Sequence, residues 1–510
     1  MELPCSVLGK DAPIGDMTVP VISPYWRLMR SGSWIILRKY QAEEMKYIKT
    51  SPLAGSVLSF FNGDLSIRHL SMVLQYAHNL PDADAAKSIV GAVIAEINQN
   101  SDAIVQMQGQ LAPYVKAYNP LEFISLPDEV TRQARLTAPL SLTVMFSNAC
   151  ETNCLYCYAN RRDVPPSKQL STKRWIEIFH EARSLGIELI SLSGGDPMFR
   201  KDAITLIGEL IKLQMLFLIS TKCHITREKA DRLVDVGMAE PINQFKREIQ
   251  ISMDGPDQST ADALAGSPGY FHRAIDSIKN LQDRGFNVRV KAVATPLNAR
   301  RIYEWVKLMA DLGVKKLAVA AYNRTFYRHC DEYFLGEDDR RVIGEQCNRA
   351  RAEFPEIEIR MSGLSSALKP AEQAFASQTR VDSAAEVQRY TTKMEKWKHR
   401  THCSGGRSSI VIAPDGKVVL CDTVPQEGIF VVGDVSGQSI SEVWNSQELV
   451  DFAYPSREKF MGTLCYECSY LNDCLSSPAG YCFRNSYFNY GTVGPPPECP
   501  LIPDHGLRYE

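Results

Sequence analysis

Residues 140–157, which read LSLTVMFSNACETNCLYC, decide the fold of this chain. The stretch begins with an apolar run, residues 140–146, that predicts a buried strand. Three cysteines follow at once, Cys150, Cys154 and Cys157, in a C-x3-C-x2-C spacing. Side chains in a loop directly after a strand are typical of ligands at the C-terminal face of a β/α barrel. The stretch therefore predicts a ligand site at the mouth of such a barrel.

The three cysteines favour an iron–sulfur cluster over zinc. Three thiolates can bind three irons of a [4Fe–4S] cluster and leave the fourth iron open to another ligand. A structural zinc site requires a fourth protein ligand, but the nearest histidine, His180, lies in a predicted helix. We therefore expect these thiols to hold a cluster with one open iron.

The composition indicates a multidomain protein of the cytosol. The chain has 510 residues, of which 45% are hydrophobic and 23% charged, and its formal net charge is −2. Length predicts about three domains, and the charge gives no indication of nucleic-acid binding. There is no apolar run of about 20 residues, as a membrane span requires, and residues 1–16 lack the features of a signal peptide. Fourteen cysteines in a reducing compartment are more typical of metal ligands than of disulfides.

Strands and helices alternate after residue 138, which predicts a parallel sheet. The predicted strands are residues 139–146, 188–193, 215–220, 248–253, 287–294 and 315–321. The predicted helices are residues 173–185, 202–213, 227–236, 271–284 and 300–312. Six strand–helix units of this kind predict an α/β fold.

The motifs in these units resemble those of the radical S-adenosylmethionine (SAM) superfamily. The cysteine trio with Tyr156 before its last member resembles the superfamily signature, and a run of four residues resembles its GGEP motif with Asp for Glu: Gly194, Gly195, Asp196 and Pro197. The stretch from Ser252 to Asp254 resembles its SxDG strand end. The resemblance implies a partial (β/α)6, TIM-like barrel, one [4Fe–4S] cluster on the trio, and SAM as the source of a 5′-deoxyadenosyl radical.

The resemblance also implies where SAM is bound. The GGDP segment is expected to bind the methionine amino group, since glycines permit close backbone approach and a carboxylate suits an ammonium. Ser252 and Asp254 are expected to approach the cofactor, and Ser220 and Thr221 to lie beside the ribose. Lys222 and Cys223 replace the usual Asn-Gly, and we consider Cys223 as a catalytic hydrogen donor or ligand at the barrel mouth.

A second group of seven cysteines lies near the C-terminus: Cys403, Cys421, Cys465, Cys468, Cys474, Cys482 and Cys499. With Gly416 four residues before Cys421, the group resembles the SPASM extension of peptide-modifying radical SAM enzymes. The resemblance implies two auxiliary [4Fe–4S] clusters, and hence three in all. It assigns Cys403, Cys421 and Cys482 to the proximal cluster and the other four to the distal one. The interval before Cys482 is seven residues instead of three. A zinc ribbon formed by Cys465, Cys468, Cys474 and Cys482 is the alternative.

The first 120 residues contain no metal motif. Residues 26–29 and 34–37 predict a hairpin, and residues 52–61, 66–79 and 83–98 predict three helices. This pattern resembles the winged-helix domain that recognises leader peptides in peptide-maturation systems, where the leader adds a strand to a sheet edge. A helical packing domain is the alternative. The predicted domains are residues 1–120, the barrel at 135–330, a helical bridge at 331–402 and the SPASM domain at 403–510.

Taken together, the sequence predicts a radical SAM enzyme that modifies a ribosomally made precursor peptide with a leader. Three products remain open: a thioether, a carbon–carbon cross-link and a backbone excision. Tyr322 and Arg324 are either substrate contacts or a packing pair. We expect an external flavodoxin-type or ferredoxin-type electron donor, no nucleic-acid or membrane partner, and a cytoplasmic location. The alternatives are an anaerobic sulfatase-type formylglycine maturase and, in another class, a non-catalytic iron–sulfur electron carrier.

Overall fold

The computed structural model divides into two compact units, Met1–Ala138 and Pro139–Glu510. It describes residues 5–23, 26–31, 34–39, 47–107, 118, 120–123, 138–159, 164–187, 189–240, 248–364, 403–476, 481–496, 499 and 501. Each unit has its own hydrophobic core. In these ranges, no helix is both long enough and apolar enough to cross a membrane.

The first unit contains two small antiparallel sheets. One is formed by β1 (Cys5–Val7), β2 (Val21–Ile22) and β6 (Ile104–Met107), with β6 in the middle. The other has the order β3-β4-β5 and is formed by β3 (Trp26–Ser31), β4 (Trp34–Lys39) and β5 (Tyr47–Thr50). Strands β3 and β4 pair along their whole length, which confirms the predicted hairpin.

Three helices complete this unit, close to the predicted positions: α1 (Pro52–Leu58), α2 (Ile67–Ala77) and α3 (Ala83–Gln99). Each begins after a side chain that accepts a hydrogen bond from a backbone N–H of the first turn: Ser51, Ser66 and Asp82. Such caps satisfy N–H groups that have no partner within the helix. The sequence signals for these three helices are therefore local.

The second unit is built on parallel strands. They are β7 (Ser141–Ser147), β8 (Leu189–Gly194), β9 (Leu216–Thr221), β10 (Glu248–Ser252), β11 (Asn287–Ala294), β12 (Lys316–Ala321) and β13 (Glu358–Ser362). Strands that follow each other in sequence are neighbours in the sheet. The six predicted strands are confirmed to within two residues, and the mostly parallel α/β fold with them.

Helices lie between the strands, as a right-handed β/α arrangement requires. They are α4 (Thr172–Ser184), α5 (Ala203–Lys212), α6 (Arg227–Asp235), α7 (Gln258–Ala265), α8 (Tyr270–Gln282) and α9 (Ile302–Asp311). Their apolar faces pack on the sheet. Trp175 of α4, for example, is fully buried and meets Phe146 of β7 edge-on, with ring centroids 5.5 Å apart.

The segment predicted as a helical bridge differs from that expectation. Its described part holds one helix, α10 (Glu337–Glu353), and then β13, which pairs in parallel with β12 as a seventh strand. Strand β13 is short and lies at the sheet edge, with Glu358 and Arg360 exposed, so its sequence lacks the apolar run of a buried strand. The polar stretch 369–400 lies outside the described residues.

The C-terminal region continues the same sheet. Strand β14 (Ser409–Ile412) pairs in parallel with β7, and β15 (Lys417–Val419) and β16 (Gly433–Asp434) follow in antiparallel order. Short helices follow: α11 (Ile440–Trp444), α12 (Gln447–Ala453), α13 (Leu464–Glu467), α14 (Leu471–Ser476) and α15 (Phe483–Tyr490). The cysteine-rich region is therefore attached to the edge of the barrel sheet that carries β7.

Candidate active site

A cavity of about 410 Å³ lies at the C-terminal ends of the parallel strands. This volume is in the range of small-molecule sites, about 300–1,000 Å³. The cysteine trio and seven of the nine residues expected to bind SAM line it. They are Cys150, Cys154, Cys157, Tyr156, Gly194, Gly195, Asp196, Ser220, Thr221 and Ser252. Three thiols and the ends of several strands thus share one cavity that is large enough for a cofactor.

The loop with the cysteine trio is held in place by backbone hydrogen bonds to the end of α7. The N–H groups of Asn153 and Leu155 donate to the carbonyls of Ala265 and Leu264, at 2.9 and 3.1 Å. Within the loop, the Thr152 hydroxyl lies 3.3 Å from the sulfur of Cys150 and 3.5 Å from that of Cys154. Burial raises the pKa of both thiols. The fold therefore presents the trio on a fixed loop.

The two glycines of the GGDP segment allow a close approach of backbone to backbone. A Cβ on Gly195 would lie 2.2 Å from the carbonyl oxygen of Ala149, and one on Gly194 would lie 2.5 Å from that of Ser147. Gly194 also has a φ of 110°, which favours glycine. Both glycines are thus required so that β8 can pack closely against the backbone that leads into the cysteine trio.

The carboxylate of Asp196 is fully engaged by the protein. One oxygen accepts the Thr221 hydroxyl and the Met198 N–H, at 2.7 and 3.0 Å, and the other accepts the N–H groups of Lys222 and Cys223, at 2.7 and 3.0 Å. Burial raises the pKa of Asp196, although these donors favour its charged form. The expected role as a direct partner of an ammonium is therefore less well supported than a role in joining the ends of β8 and β9.

Asp254 and Lys222 form a buried ion pair beside the cysteine loop. The Lys222 ammonium lies 2.6 Å from Asp254, and Asp254 also accepts the Tyr156 hydroxyl and the Val293 N–H, the latter at 2.8 Å. Burial alone would lower the pKa of Lys222, but the Asp254 charge raises it well above its usual value. Neither Asp254 nor Pro197 lines the cavity. Asp254 therefore holds Tyr156 and Lys222, which do line the cavity, and its expected approach to the cofactor stays a prediction.

Residues that follow β12 and residues of the cysteine-rich region also line the cavity. Tyr322 and Arg324, which follow β12, both line the cavity, as do Thr423 and Arg484. Sequence analysis missed the last two, although each lies two residues after a cysteine that was assigned to the proximal cluster. The Thr423 hydroxyl lies 3.0 Å from the sulfur of Cys421. Thr423 and Arg484 could thus have been predicted from their proximity in sequence to Cys421 and Cys482.

Cys223 does not reach the barrel mouth. It is buried, it is not among the residues that line the cavity, and its sulfur lies 3.2 Å from the Lys229 ammonium. Burial, together with the nearby charge of Asp196, raises its pKa to about 12. The position of the thiol therefore gives no support to a catalytic role.

Four of the C-terminal cysteines lie near one another. Burial and the neighbouring thiols of Cys499, Cys474 and Cys468 together raise the pKa of Cys465 to about 12. These four are the residues assigned to the distal cluster. Cys403 and Cys482 are half-buried. Across the described ranges, no three His, Cys, Asp or Glu side chains are placed to hold a single metal ion.

The chain matches two protein families. Residues 144–298 match the Radical SAM superfamily, and residues 403–469 match the SPASM iron–sulfur cluster-binding domain. The chain is 26% identical over 383 residues to the PqqA peptide cyclase of Methylocella silvestris, a match that covers 73% of this chain and 90% of the relative. Identity to the PqqA peptide cyclase of Rhodopseudomonas palustris is 24%, with 61% and 74% covered.

Solved structures show the same fold. Streptococcus suis SuiB bound to its precursor peptide SuiA has a TM-score of 0.62 at 17% identity, over 90% of this chain and 95% of that one. SuiB bound to S-adenosylmethionine has a TM-score of 0.60 at 17% identity, over 94% and 99%. The expectations of a radical SAM barrel and a SPASM domain are thus confirmed: this chain carries a Radical SAM domain at residues 144–298 and a SPASM domain at residues 403–469.

Proposed function

We propose that this chain is a peptide maturase that uses SAM to modify a ribosomally made precursor peptide. The observation that carries the proposal is the composition of the cavity. The cysteine trio lines it together with Thr423 and Arg484 of the SPASM region. A substrate in this cavity therefore contacts both the radical-forming site and the cysteine-rich region.

The relatives favour a reaction that forms a bond. The curated relatives are named peptide cyclases, and the match covers up to 90% of their length. Formation of an intramolecular carbon–carbon or thioether bond is therefore the product class that we propose, ahead of backbone excision. A formylglycine maturase is not favoured, because the relatives are named peptide cyclases. An electron carrier is not favoured either, because it would have no use for a cavity beside the cysteine trio.

The cysteines would hold three [4Fe–4S] clusters in this proposal. Cys150, Cys154 and Cys157 would hold the cluster that binds and cleaves SAM, and this group supplies the 5′-deoxyadenosyl radical. The proximal auxiliary cluster would use Cys403, Cys421 and Cys482. The distal one would use Cys465, Cys468, Cys474 and Cys499, a set whose thiols lie near one another.

The protein side chains of the cavity would position SAM. Ser220 and Ser252, whose hydroxyls are 3.4 Å apart, face it from β9 and β10. Gly194 and Gly195 offer backbone groups, and Tyr156 closes the side next to Cys154. Asp196 would act by fixing Thr221 and the start of the loop after β9. These residues would orient the cofactor and keep water from it.

The first unit would bind the leader segment of the peptide. Its sheet β3-β4-β5 is three-stranded, so β3 and β5 are edge strands in the described part of the unit. An edge strand exposes backbone groups to which an extended peptide can pair. We propose that this unit is a winged-helix domain.

An external electron donor of the flavodoxin or ferredoxin type would reduce the enzyme, and the protein would be cytoplasmic, where thiol ligands stay reduced.

Metal content and SAM cleavage test the proposal. The reconstituted wild-type protein should contain about 12 irons, and the Cys150/Cys154/Cys157→Ala variant about 8. Only the wild type should form 5′-deoxyadenosine when SAM, reductant and a precursor peptide are supplied. Stoichiometric zinc in place of iron would refute the radical chemistry. About four irons, all lost in the variant, would refute the auxiliary clusters alone.

A further inference from the structure

A hydrogen-bonded chain leads from the cavity wall to the protein surface. It begins at Tyr322, which lines the cavity and is 2% exposed. The ring of Tyr322 packs in one buried cluster with Cys154 and Tyr156 of the cysteine loop and with Phe334. The hydroxyl lies 2.8 Å from Nδ1 of His329. Tyr322 therefore connects the cysteine loop with His329, to which no role has been assigned so far.

The neighbouring donors fix the direction of this chain. The N–H of Cys330 donates to the Tyr322 oxygen at 3.2 Å, so the phenol proton points toward another acceptor. The nearer acceptor is Nδ1 of His329, while the carbonyl of Arg328 is 3.5 Å away. If Nδ1 accepts, Nε2 carries the proton in a neutral imidazole. Nε2 lies 2.8 Å from the carboxylate of Asp331, to which it then donates.

The two rings are held in place by their surroundings. Tyr322 and His329 stack with an angle of 6° between their planes. Phe334 and Phe488 meet His329 edge-on, with ring centroids 5.4 and 5.3 Å away. Asp331, in contrast, has a side chain that is 75% exposed and faces water. The chain therefore has a fixed inner part and an outer end that exchanges protons with solvent.

Other polar groups on the wall are less suited to accept a proton. Asp196 already accepts four hydrogen bonds. Lys222 is an ammonium in a buried ion pair, and Arg484 is a cation. Tyr158 is bonded to Ser193, at 2.7 Å. Among the described residues that line the cavity, Tyr322 is the titratable group whose hydrogen bonds lead through a histidine to an exposed carboxylate.

We propose that Tyr322 and His329 remove a proton from the peptide as the new bond is completed; this rests on the proposed bond-forming function. The 5′-deoxyadenosyl radical takes one hydrogen atom from the peptide and becomes 5′-deoxyadenosine. The carbon radical that is left adds to an unsaturated carbon of the peptide that carries hydrogen. The joined radical must then lose one electron and one proton. The electron would go to an oxidised iron–sulfur cluster, which the SPASM cysteines would hold. The proton goes to the Tyr322 oxygen, whose own proton moves to Nδ1 of His329. The balance is one carbon–carbon bond formed and two C–H bonds broken.

His329 acts in this scheme as a positioning and relay residue behind Tyr322. The imidazolium that forms is stabilised by the Asp331 carboxylate, and the proton leaves to water. General acid–base groups of this kind contribute about 10²–10⁴-fold to a rate. Tyr322→Phe keeps the ring and its packing and removes only the hydroxyl, so it separates the relay from the packing role.

The test compares two products in the same reaction, with a ribosomally made precursor peptide as substrate. In Tyr322→Phe, 5′-deoxyadenosine should form within about twofold of the wild-type amount, while cross-linked peptide falls at least about 100-fold. His329→Gly should show the same uncoupling, and added imidazole should restore part of the cross-link. Tyr333→Phe is the matched control, because that ring meets Tyr322 edge-on at 5.7 Å and should change neither product.

Each other result has a definite meaning. Wild-type ratios of the two products in Tyr322→Phe would overturn the relay. So would an equal loss of both products, because it would show that Tyr322 shapes the cavity. A wild-type enzyme that forms no 5′-deoxyadenosine with the peptide would overturn the proposed function, and the relay with it. The first two results leave the proposed function intact, so the two failures can be told apart.

Discussion

Replacement of Lys222 with methionine should destabilise the floor of the cavity by about 3 kcal/mol. The variant leaves the Asp254 carboxylate, whose side chain is 0% exposed, without the ammonium that lies 2.6 Å away. Breaking one partner of a buried ion pair costs about 3–5 kcal/mol. The lower end applies because Asp254 keeps two donors, the Tyr156 hydroxyl and the Val293 N–H.

Hydrogen exchange followed by mass spectrometry measures this effect locally. Because about 1.4 kcal/mol corresponds to a factor of ten, backbone amides of β9 and β10 should exchange about 100-fold faster in Lys222→Met. Asp254→Asn in the same chain should recover at least about tenfold, since no buried charge is then left alone. Lys173→Met is the control, because Lys173 is 88% exposed. Exchange within threefold of wild type in Lys222→Met, or strictly additive effects in the double variant, would refute the reasoning.

Three further predictions concern packing, charge and the cysteine loop. Gly195→Ala places a Cβ 2.2 Å from the carbonyl oxygen of Ala149. This overpacking should destabilise the fold by about 1–3 kcal/mol and so lower the melting temperature and the iron content. Gly437→Ala, whose Cβ would have no atom within 4 Å, should change neither. Asp102→Asn removes an ion pair with Lys39, at 2.8 Å, that lowers the pKa of Asp102 despite its burial. Asp102→Asn should therefore destabilise the first unit by less than about 1 kcal/mol at pH 7. In thermal unfolding, the difference between variant and wild type should vanish as the pH falls below about 3.9, the pKa of Asp in the unfolded chain, and through the lower pKa of Asp102 in the folded protein. Arg328→Ala removes two hydrogen bonds, each 2.9 Å long, to carbonyls of the cysteine loop, and should speed iron loss to a chelator severalfold; an unchanged rate would contradict a holding role.

Much of the barrel is predictable because its signals are local. The strand before the cysteine trio is an apolar run, and each later strand is followed by a recognisable motif or helix. Strand β13 was missed because it lies at an edge, where exposed Glu358 and Arg360 alternate with less exposed residues. Burial on both faces, which makes central parallel strands uniformly apolar, is absent there.

The motifs predict which residues meet at the cavity more reliably than what each side chain does. Asp254 lies in an SxDG motif, but its carboxylate is engaged by Lys222 and by the Tyr156 hydroxyl, two groups that themselves line the cavity. Cys223 follows the same strand end as Thr221, yet its side chain is directed into the core. The direction of a side chain after a strand depends on contacts with residues far away in sequence. The link between Tyr322 and His329 depends likewise on the path of the intervening loop.

The pairing of β14 with β7 has a consequence for electron movement. The cysteine trio follows β7, and Cys421 follows β15, two strands further along the same continuous sheet. Cys421 is thus connected to the trio through hydrogen-bonded strands of one sheet, about 4.8 Å apart, and not through the linker of a tethered domain. Tunnelling between redox centres held on these thiols would occur over a constant gap, at a rate independent of solvent viscosity.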